Sequence, residues 1–388
     1  MENSNLDICR INTLSFNQNK TQFALGFDNG IIIYNTDTLD ILSVSHQIGD
    51  IAIVSLLYEL QVAVFAGSKN NMVYQKNKMV IYDNIKKKEL FSSIFAKEIQ
   101  EIKVRNKLIL IETKTDISVF KYENDSNISF INKTEISFEI RFPFVVFEDM
   151  MDKCNIIIQS EKNYLNVLSI DIESLKIGIT NKVKLKYEYP QNLFIDHKTK
   201  SLFICDYQGQ YISEVSLENM HTILREYYRG SSYGKIVDIQ KMSNNYCFIT
   251  NCDKTIHIYS LKEKKSNLTN FFSGFVKKDS VLSSYIKIDI DSLLTNDANA
   301  FSFFAQKKGG IVILNESSNT LSYICYNGNK YTFTVRFDKS AYSLLRKDNW
   351  VLKQLQQSNR KGFEIIDYDK LYPPEKKETE IGDSIIFS

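Results

Sequence analysis

Short apolar runs separated by polar turns dominate the chain. Residues 13–16, 23–27 and 31–35 are three such runs, and Phe27-Asp28-Asn29-Gly30 closes the last two as a hairpin. Runs 53–57, 62–66 and 79–82 repeat the pattern, as do 99–104, 108–112 and 117–122. Later triplets fall at 193–196, 201–205 and 211–215, then at 236–240, 246–250 and 255–260. Each run has the length of a strand and not that of a helix. Three to four strands recurring about every 40–50 residues is the period of propeller blades. No helical pattern alternates with the strands, which removes doubly wound and α/β-barrel folds. The expectation is an all-β chain folded as a β-propeller. Roughly 340 residues at about 45–50 per repeat predict a seven-bladed one.

Two segments break the rhythm. Residues 262–284, rich in Lys, Ser and Phe, sit between strands of the sixth repeat. The region from 354 to 388 is polar and carries Pro373-Pro374-Glu375-Lys376-Lys377-Glu378. The predicted organisation is a propeller over 1–353, an insert at 262–284 and a polar C-terminal tail at 354–388. That tail is expected to be mobile or strapped to the surface.

Composition supports strands and narrows the function. Tyr (22) and Phe (25) are abundant, while proline appears 4 times and glycine 14. The 48 basic and 46 acidic residues nearly cancel, leaving +2. A dedicated nucleic-acid binder usually carries a basic excess, so no nucleic-acid partner is expected. Six cysteines without a C-x-x-C pair and only four histidines argue against structural zinc or a disulfide framework. A reducing compartment fits them better. Met1-Glu2-Asn3-Ser4 opens no basic segment followed by an apolar run, so no secretory leader is expected. No apolar run approaches the roughly 20 residues of a membrane-spanning helix. There is no G-x-S-x-G, P-loop or H-E-x-x-H, so the chain is read as a non-enzyme with no catalytic residues, metal or cofactor.

The first repeat, from Leu14-Ser15-Phe16-Asn17-Gln18 to Gly30 and Tyr34-Asn35, resembles the opening blade of the PROPPINs. The second strengthens the likeness with Ala63-Val64-Phe65-Ala66-Gly67-Ser68-Lys69-Asn70, Asn77-Lys78-Met79-Val80-Ile81-Tyr82-Asp83 and Lys86-Lys87-Lys88. The sixth is similar through Thr255-Ile256-His257-Ile258-Tyr259-Ser260-Leu261. The likeness covers about residues 8–345, weakest in repeats four and seven. The PROPPINs are WD40-like seven-bladed propellers that bind phosphoinositides in autophagy and endolysosomal trafficking. The resemblance therefore implies a cytoplasmic protein. It would sit peripherally on autophagosomal, endosomal or vacuolar membranes and bind phosphatidylinositol 3-phosphate or the 3,5-bisphosphate. Its implied partners are an autophagy lipid-transfer protein or a scaffold of the conjugation machinery. The edge of repeats two and three, at 67–78, is the expected docking surface, and a monomer is expected.

The family hallmark F-R-R-G reads Tyr227-Tyr228-Arg229-Gly230 here. Adjacent side chains of extended backbone point to opposite sides, so the two family arginines serve two pockets. Tyrosine cannot reproduce the planar guanidinium fork that matches phosphate oxygens. The pocket served by Tyr228 is expected to be degenerate. Tyr187 stands where the family has a histidine, and Cys205-Asp206 stand where it has hydroxyls; Asp206 would repel phosphate. The second pocket would use Arg229, Gly230, Thr250, Thr255 and His257, with the guanidinium reachable from solvent. There Thr250-Asn251-Cys252-Asp253-Lys254-Thr255 departs from the family pattern by losing a hydroxyl and a glycine. The insert supplies Phe271, Phe272, Phe275 and Val276 beside Lys277 and Lys278, which the resemblance makes a membrane loop. Burial of one Phe contributes about 1.5–3 kcal/mol, and each lysine near an anionic leaflet about 1 kcal/mol.

The residues by themselves leave plainer readings open. Arg229-Gly230 also fits a strand-end turn, His257 a satisfied core histidine, Tyr187 and Tyr228 packing residues, and 271–276 a buried strand. Lys86-Lys87-Lys88 reads as a solvated turn. The rival to lipid binding is a propeller that scaffolds proteins and has lost its lipid sites.

Overall fold

The structure, a computed structural model, describes residues 11–135 except 47, 59, 72, 106, 107 and 126, and residues 144–242 except 151, 152, 172, 175, 176 and 187. It also describes 246–251, 255–261, 281–283, 286–290, 310–315, 318–326, 329–337, 341–349 and 385–387. Every helix-or-strand element among the described residues is a strand, so the all-β expectation holds. The chain divides into two compact units, Met1–Glu135 with Tyr323–Thr332 and Leu345–Ser388, and Ile136–Ser322 with Phe333–Leu344.

The first unit opens with an antiparallel meander of β1 (Ile11–Phe16), β2 (Gln22–Phe27), β3 (Gly30–Asn35) and β4 (Ile41–His46). Phe27 faces Gly30 across the hairpin read from the sequence. The next sheet holds β5 (Ile51–Leu57), β6 (Val62–Gly67), β7 (Lys78–Asp83) and β8 (Lys88–Phe95), and a third holds β9 (Ile99–Arg105), β10 (Leu108–Thr113), β11 (Asp116–Asn124) and β12 (Asn127–Glu135). Central strands are mostly apolar because both of their faces are covered; β6 and β10 are buried at every position. Outer strands alternate more loosely, as the half-exposed pattern of β8 shows. Ala24, Ile31, Ile33, Ile51, Ala63 and Phe65 fuse the first two sheets, and Val64, Ile81, Ile109, Ile111 and Phe120 fuse the second to the third.

The lysine triplet is only partly a solvated turn. Lys86 is exposed and pairs with Asp125 at 2.5 Å and Asp83 at 3.3 Å. Lys87 has φ +53° and turns inward, its ammonium donating to the Val44 carbonyl and to Ser45 Oγ. Burial lowers its pKa, partly offset by the charge of Asp83.

In the second unit, β13 (Phe144–Met150), β14 (Lys153–Glu161), β15 (Tyr164–Asp171) and β16 (Ile177–Lys184) form one meander. A second contains β17 (Asn192–Asp196), β18 (Ser201–Cys205), β19 (Tyr211–Ser216) and β20 (Ile223–Tyr228). The following sheet starts with β21 (Ile236–Met242), β22 (Tyr246–Asn251) and β23 (Thr255–Ser260). Its outer strand is not the next element. β24 (Val281–Ser283) joins the preceding sheet beside β20, and β25 (Ile286–Asp289) completes the sheet of β23. A last sheet, whose residues are divided between the two units, runs β26 (Gly310–Asn315), β27 (Thr320–Cys325), β28 (Asn329–Arg336) and β29 (Ala341–Asn349) in order. Within the region read as the tail, β30 (Ile385–Phe387) pairs in parallel with β8 in the first unit.

Candidate functional site

The site begins with the turn between β18 and β19. Asp206 Oδ1 accepts the amides of Gln210 at 2.7 Å and Tyr211 at 3.1 Å, and the Asp206 carbonyl accepts Gly209 N–H at 3.0 Å. The loop closed by these bonds needs a left-handed residue, and Gly209 supplies it with φ +66°. A Cβ there would lie 1.9 Å from the Gly234 carbonyl oxygen. Gln191 closes the other side, donating to the Gly234 carbonyl at 3.2 Å and accepting Ile236 N–H at 2.7 Å. Asp206, expected as a misfit in a phosphate pocket, is thus the organiser of a turn. Burial raises its pKa, opposed by these backbone N–H groups and by the charge of Arg229.

That turn holds Arg229. Arg229 N–H donates to the Gln210 carbonyl at 2.8 Å, and Nε donates to the Gly209 carbonyl at 2.6 Å. Nη2 donates to the Ser232 carbonyl. The fork lies against Gly234, where a Cβ would come 2.8 Å from Nη2. Arg229 is only 7% exposed, so the guanidinium expected to face solvent is largely covered. The reason is local: two turns aim carbonyl oxygens at the fork and wrap its edge. Among the described residues, no carboxylate forms an ion pair with it within 4.0 Å, and Asp206 acts only through space. Gly230 follows with φ +142°, and no atom lies within 4 Å of where its Cβ would be, so backbone conformation rather than space calls for glycine.

β23 brings the second half. Thr255 Oγ1 lies 3.1 Å from His257 Nε2. His257 is 2% exposed, and among the described residues its buried Nδ1 has no hydrogen-bond partner. Burial, reinforced by the charges of Arg229 and Lys287, lowers the imidazole pKa to about 3. The ring is therefore neutral at physiological pH, and its value to an anion is a neutral donor or a water contact. The sequence reading overlooked Lys287. It sits directly opposite His257 on β25 and is exposed. The Ile-Lys-Ile-Asp alternation of that strand, with every second residue buried, was the available signal. Arg229, Thr255, His257 and Lys287 therefore share one neighbourhood. Thr250 pairs with Ile256 through the backbone, and its side chain lies outside the described residues.

The residues assigned to the degenerate pocket do other work. Cys205 is fully buried in a cluster with Phe203, Ile212, Tyr227 and Tyr259. The Tyr228 ring lies 5.0 Å from Tyr211, and its carbonyl accepts the Tyr259 hydroxyl at 3.1 Å. Tyr187 and the insert residues Phe271, Phe272, Phe275, Val276, Lys277 and Lys278 lie outside the described residues. In the first unit, the 67–78 turn lines a polar cleft of about 860 Å³, where Glu98 sits between Lys76 at 2.9 Å and Lys69 at 3.3 Å.

No protein-family model matches the chain. Among curated proteins, it is 25% identical to SVP1-like protein 2 of Debaryomyces hansenii over 120 residues, 30% of this chain and 28% of that one. It is 20% identical to SVP1-like protein 2 of Saccharomyces cerevisiae over 292 residues, 66% of this chain and 64% of that one. The match thus spans less than two thirds of either relative. Among solved structures, Kluyveromyces lactis Hsv2 with a complete loop 6CD superposes with a TM-score of 0.65 at 14% identity, covering 88% of this chain and 99% of that one. KlAtg21, solved in complex with the coiled-coil of AgAtg16, gives a TM-score of 0.64 at 15% identity over 88% and 99%. The PROPPIN likeness read from the first repeats is borne out in the fold: this chain is an all-β propeller built like the Hsv2 and Atg21 structures.

Proposed function

We propose that the chain is a seven-bladed, non-enzymatic propeller of the PROPPIN type that binds phosphatidylinositol 3-phosphate or the 3,5-bisphosphate at the cytoplasmic face of autophagic or endolysosomal membranes. The recurrence of antiparallel meanders of four or five strands supports a propeller. One observation carries the lipid reading: among the described residues, a buried guanidinium held by backbone carbonyls but contacted by no carboxylate lies near a buried imidazole whose Nδ1 has no hydrogen-bond partner. A buried cation whose contacts are neutral carbonyls gains from an added anion, and such charges concentrate at functional sites. A single site around Arg229 and His257 is the reading, since Asp206 and Tyr228 serve the turn and the packing on the other side. Residues 271–278 would enter the bilayer beside it. The cleft at 67–78 is the proposed docking place for a lipid-transfer protein or a conjugation scaffold, an idea supported by the Atg16 coiled-coil held by KlAtg21.

Liposome flotation tests the reading. The wild-type chain is expected to float with vesicles carrying the 3-phosphorylated lipid and not with phosphatidylcholine alone, and Arg229→Ala is expected to stay in solution. Equal flotation of both proteins would remove the site assignment. A second reading, a protein scaffold without lipid binding, is favoured by the same burial of Arg229 and by its two carbonyl partners. No lipid-dependent flotation of the wild type would select it.

A further inference from the structure

Two turns that meet over Arg229 carry exposed tyrosines. Tyr207 lies in the turn between β18 and β19 and is 66% exposed, and Tyr233 lies in the turn between β20 and β21 and is 61% exposed. Single exposed apolar residues are ordinary, whereas a cluster of them on one rim calls for an explanation. These two belong to one frame. Gly234 N–H donates to the Gln208 carbonyl at 3.0 Å, so the residue after Tyr233 is bonded to the residue after Tyr207. Gln191 Nε2 donates to the Tyr207 carbonyl at 3.3 Å and to the Gly234 carbonyl at 3.2 Å, and Gln210 Nε2 donates to the Ser231 carbonyl. Tyr211, exposed as well, extends the group and packs on Tyr228.

The frame beneath these rings is the one that holds the cation. Arg229 Nε donates to the Gly209 carbonyl and Nη2 to the Ser232 carbonyl, so each turn gives the fork one acceptor. Lys235, two positions after Tyr233, is exposed. Asp206, the carboxylate of the first turn, uses Oδ1 to accept the Gln210 and Tyr211 amides. The rim thus offers rings and a cation to its surroundings and turns its carboxylate to the backbone. A tyrosine joins an apolar ring to a polar hydroxyl, a combination that settles at the boundary between lipid headgroups and hydrocarbon. A lysine beside it is attracted to an anionic leaflet. A hydrogen-bonded frame also lowers the ordering cost of contact, since the backbone carrying the rings is already fixed.

We propose that Tyr207 and Tyr233, with Tyr211 beside them and Lys235 as their cation, form an interfacial membrane anchor built on the two turns that hold Arg229. The surface they meet is the headgroup layer of an anionic bilayer. The proposal rests on the lipid reading given above for the nature of that surface. Arg229 holds the phosphate in this scheme, and the tyrosines seat the rim at the lipid boundary around it without touching the bound headgroup. Partial burial of two rings changes vesicle affinity by about tenfold or more.

The test uses the full chain with phosphatidylcholine vesicles that are plain, carry phosphatidylserine or carry phosphatidylinositol 3-phosphate, and with soluble inositol 1,3-bisphosphate. Tyr207→Ser combined with Tyr233→Ser is expected to weaken binding to the 3-phosphate vesicles by about tenfold or more, and to leave thermal unfolding and soluble-headgroup affinity at their wild-type values. Tyr207→Trp combined with Tyr233→Trp is expected to retain vesicle binding. Its tryptophan emission, read against a wild type that has Trp350 alone, is expected to shift to the blue on vesicles and not on the soluble headgroup. Full vesicle binding by the serine variant, or no blue shift in a vesicle-bound tryptophan variant, overturns the proposal and leaves the tyrosines to a protein partner. Equal loss of vesicle and soluble-headgroup affinity also overturns it, since the tyrosines would then line the headgroup site. The headgroup reading fails separately: a wild type that binds phosphatidylserine vesicles as well as 3-phosphate vesicles, with both lost in the serine variant, removes the specific site and upholds the anchor. A wild type that binds no vesicle overturns both.

Discussion

The Nε of Arg229 donates to the carbonyl of Gly209 at 2.6 Å, so the cation of the proposed site is oriented by the hairpin turn of its own sheet. The turn and the arginine form one unit. Asp206 shapes the turn, Gly209 gives the conformation that turn requires, and the freed carbonyl holds the fork. Gly209→Ala is expected to cost about 1–3 kcal/mol from the left-handed backbone alone, with more from the clash at Gly234. Chemical denaturation gives the stability change. Flotation of the folded fraction is expected to fall with it, because the arginine loses its orienting acceptor.

Charge at the site depends on a histidine that stays neutral. The folded pKa of about 3 lies below the ordinary 6.5, so the unfolded chain binds a proton that the folded one refuses between those values. Stability from this group is full above pH 6.5 and is lost as pH falls toward 3. By pH 5 the loss attributable to His257 is about 2 kcal/mol. The difference in unfolding free energy between wild type and His257→Gln, followed from pH 7 to 5, is expected to change by that amount. Lipid binding is expected to show no His257-dependent change between pH 6.5 and 8.

Lys287 is the exposed member of the basic group. Its charge already helps depress His257, and removing it is expected to raise the imidazole pKa, measurable by NMR titration. Vesicle binding by Lys287→Ala is expected to weaken by about 1 kcal/mol, the value of one basic residue near an anionic surface. The deficit is expected to shrink at high salt.

Deeper in the same sheet, Glu214 is fully buried, accepts the Tyr227 hydroxyl at 2.5 Å and Ser201 Oγ at 2.9 Å, and pairs with Lys241. Burial pushes its pKa up, but the hydrogen bonds of Lys241 and Tyr227 outweigh it and the net shift is downward. Lys241→Met leaves the buried Glu214 carboxylate with only the more distant Arg225, at 3.7 Å, and is expected to cost up to about 3–5 kcal/mol. The pair Glu214→Gln with Lys241→Met is expected to recover much of that. Thermal unfolding of the three proteins measures both effects.

The strand rhythm was legible because the central strands are covered on both faces and read as largely apolar runs. β6, β10 and β18 are such strands, and each lies where the sequence placed it. Outer strands were harder to see. β8 and β20 are partly exposed and carry charges among their apolar residues, so neither period stands out. Arg229 was legible through its motif, whereas its burial was not. The acceptors that cover it are backbone carbonyls of residues 209 and 232, and a carbonyl leaves no mark in a sequence. Lys87 illustrates the same limit: its inward turn depends on acceptors at Val44 and Ser45, far away along the chain.

The pairing of β30 with β8 bears on how the protein can be handled. Ile386 lies opposite Ile94 in that parallel pair, so a fluorescent or affinity label inserted within 385–387 would fall at the outer edge of the second sheet. Reporters placed there would jostle the pairing, and labels for imaging or capture belong elsewhere on the molecule.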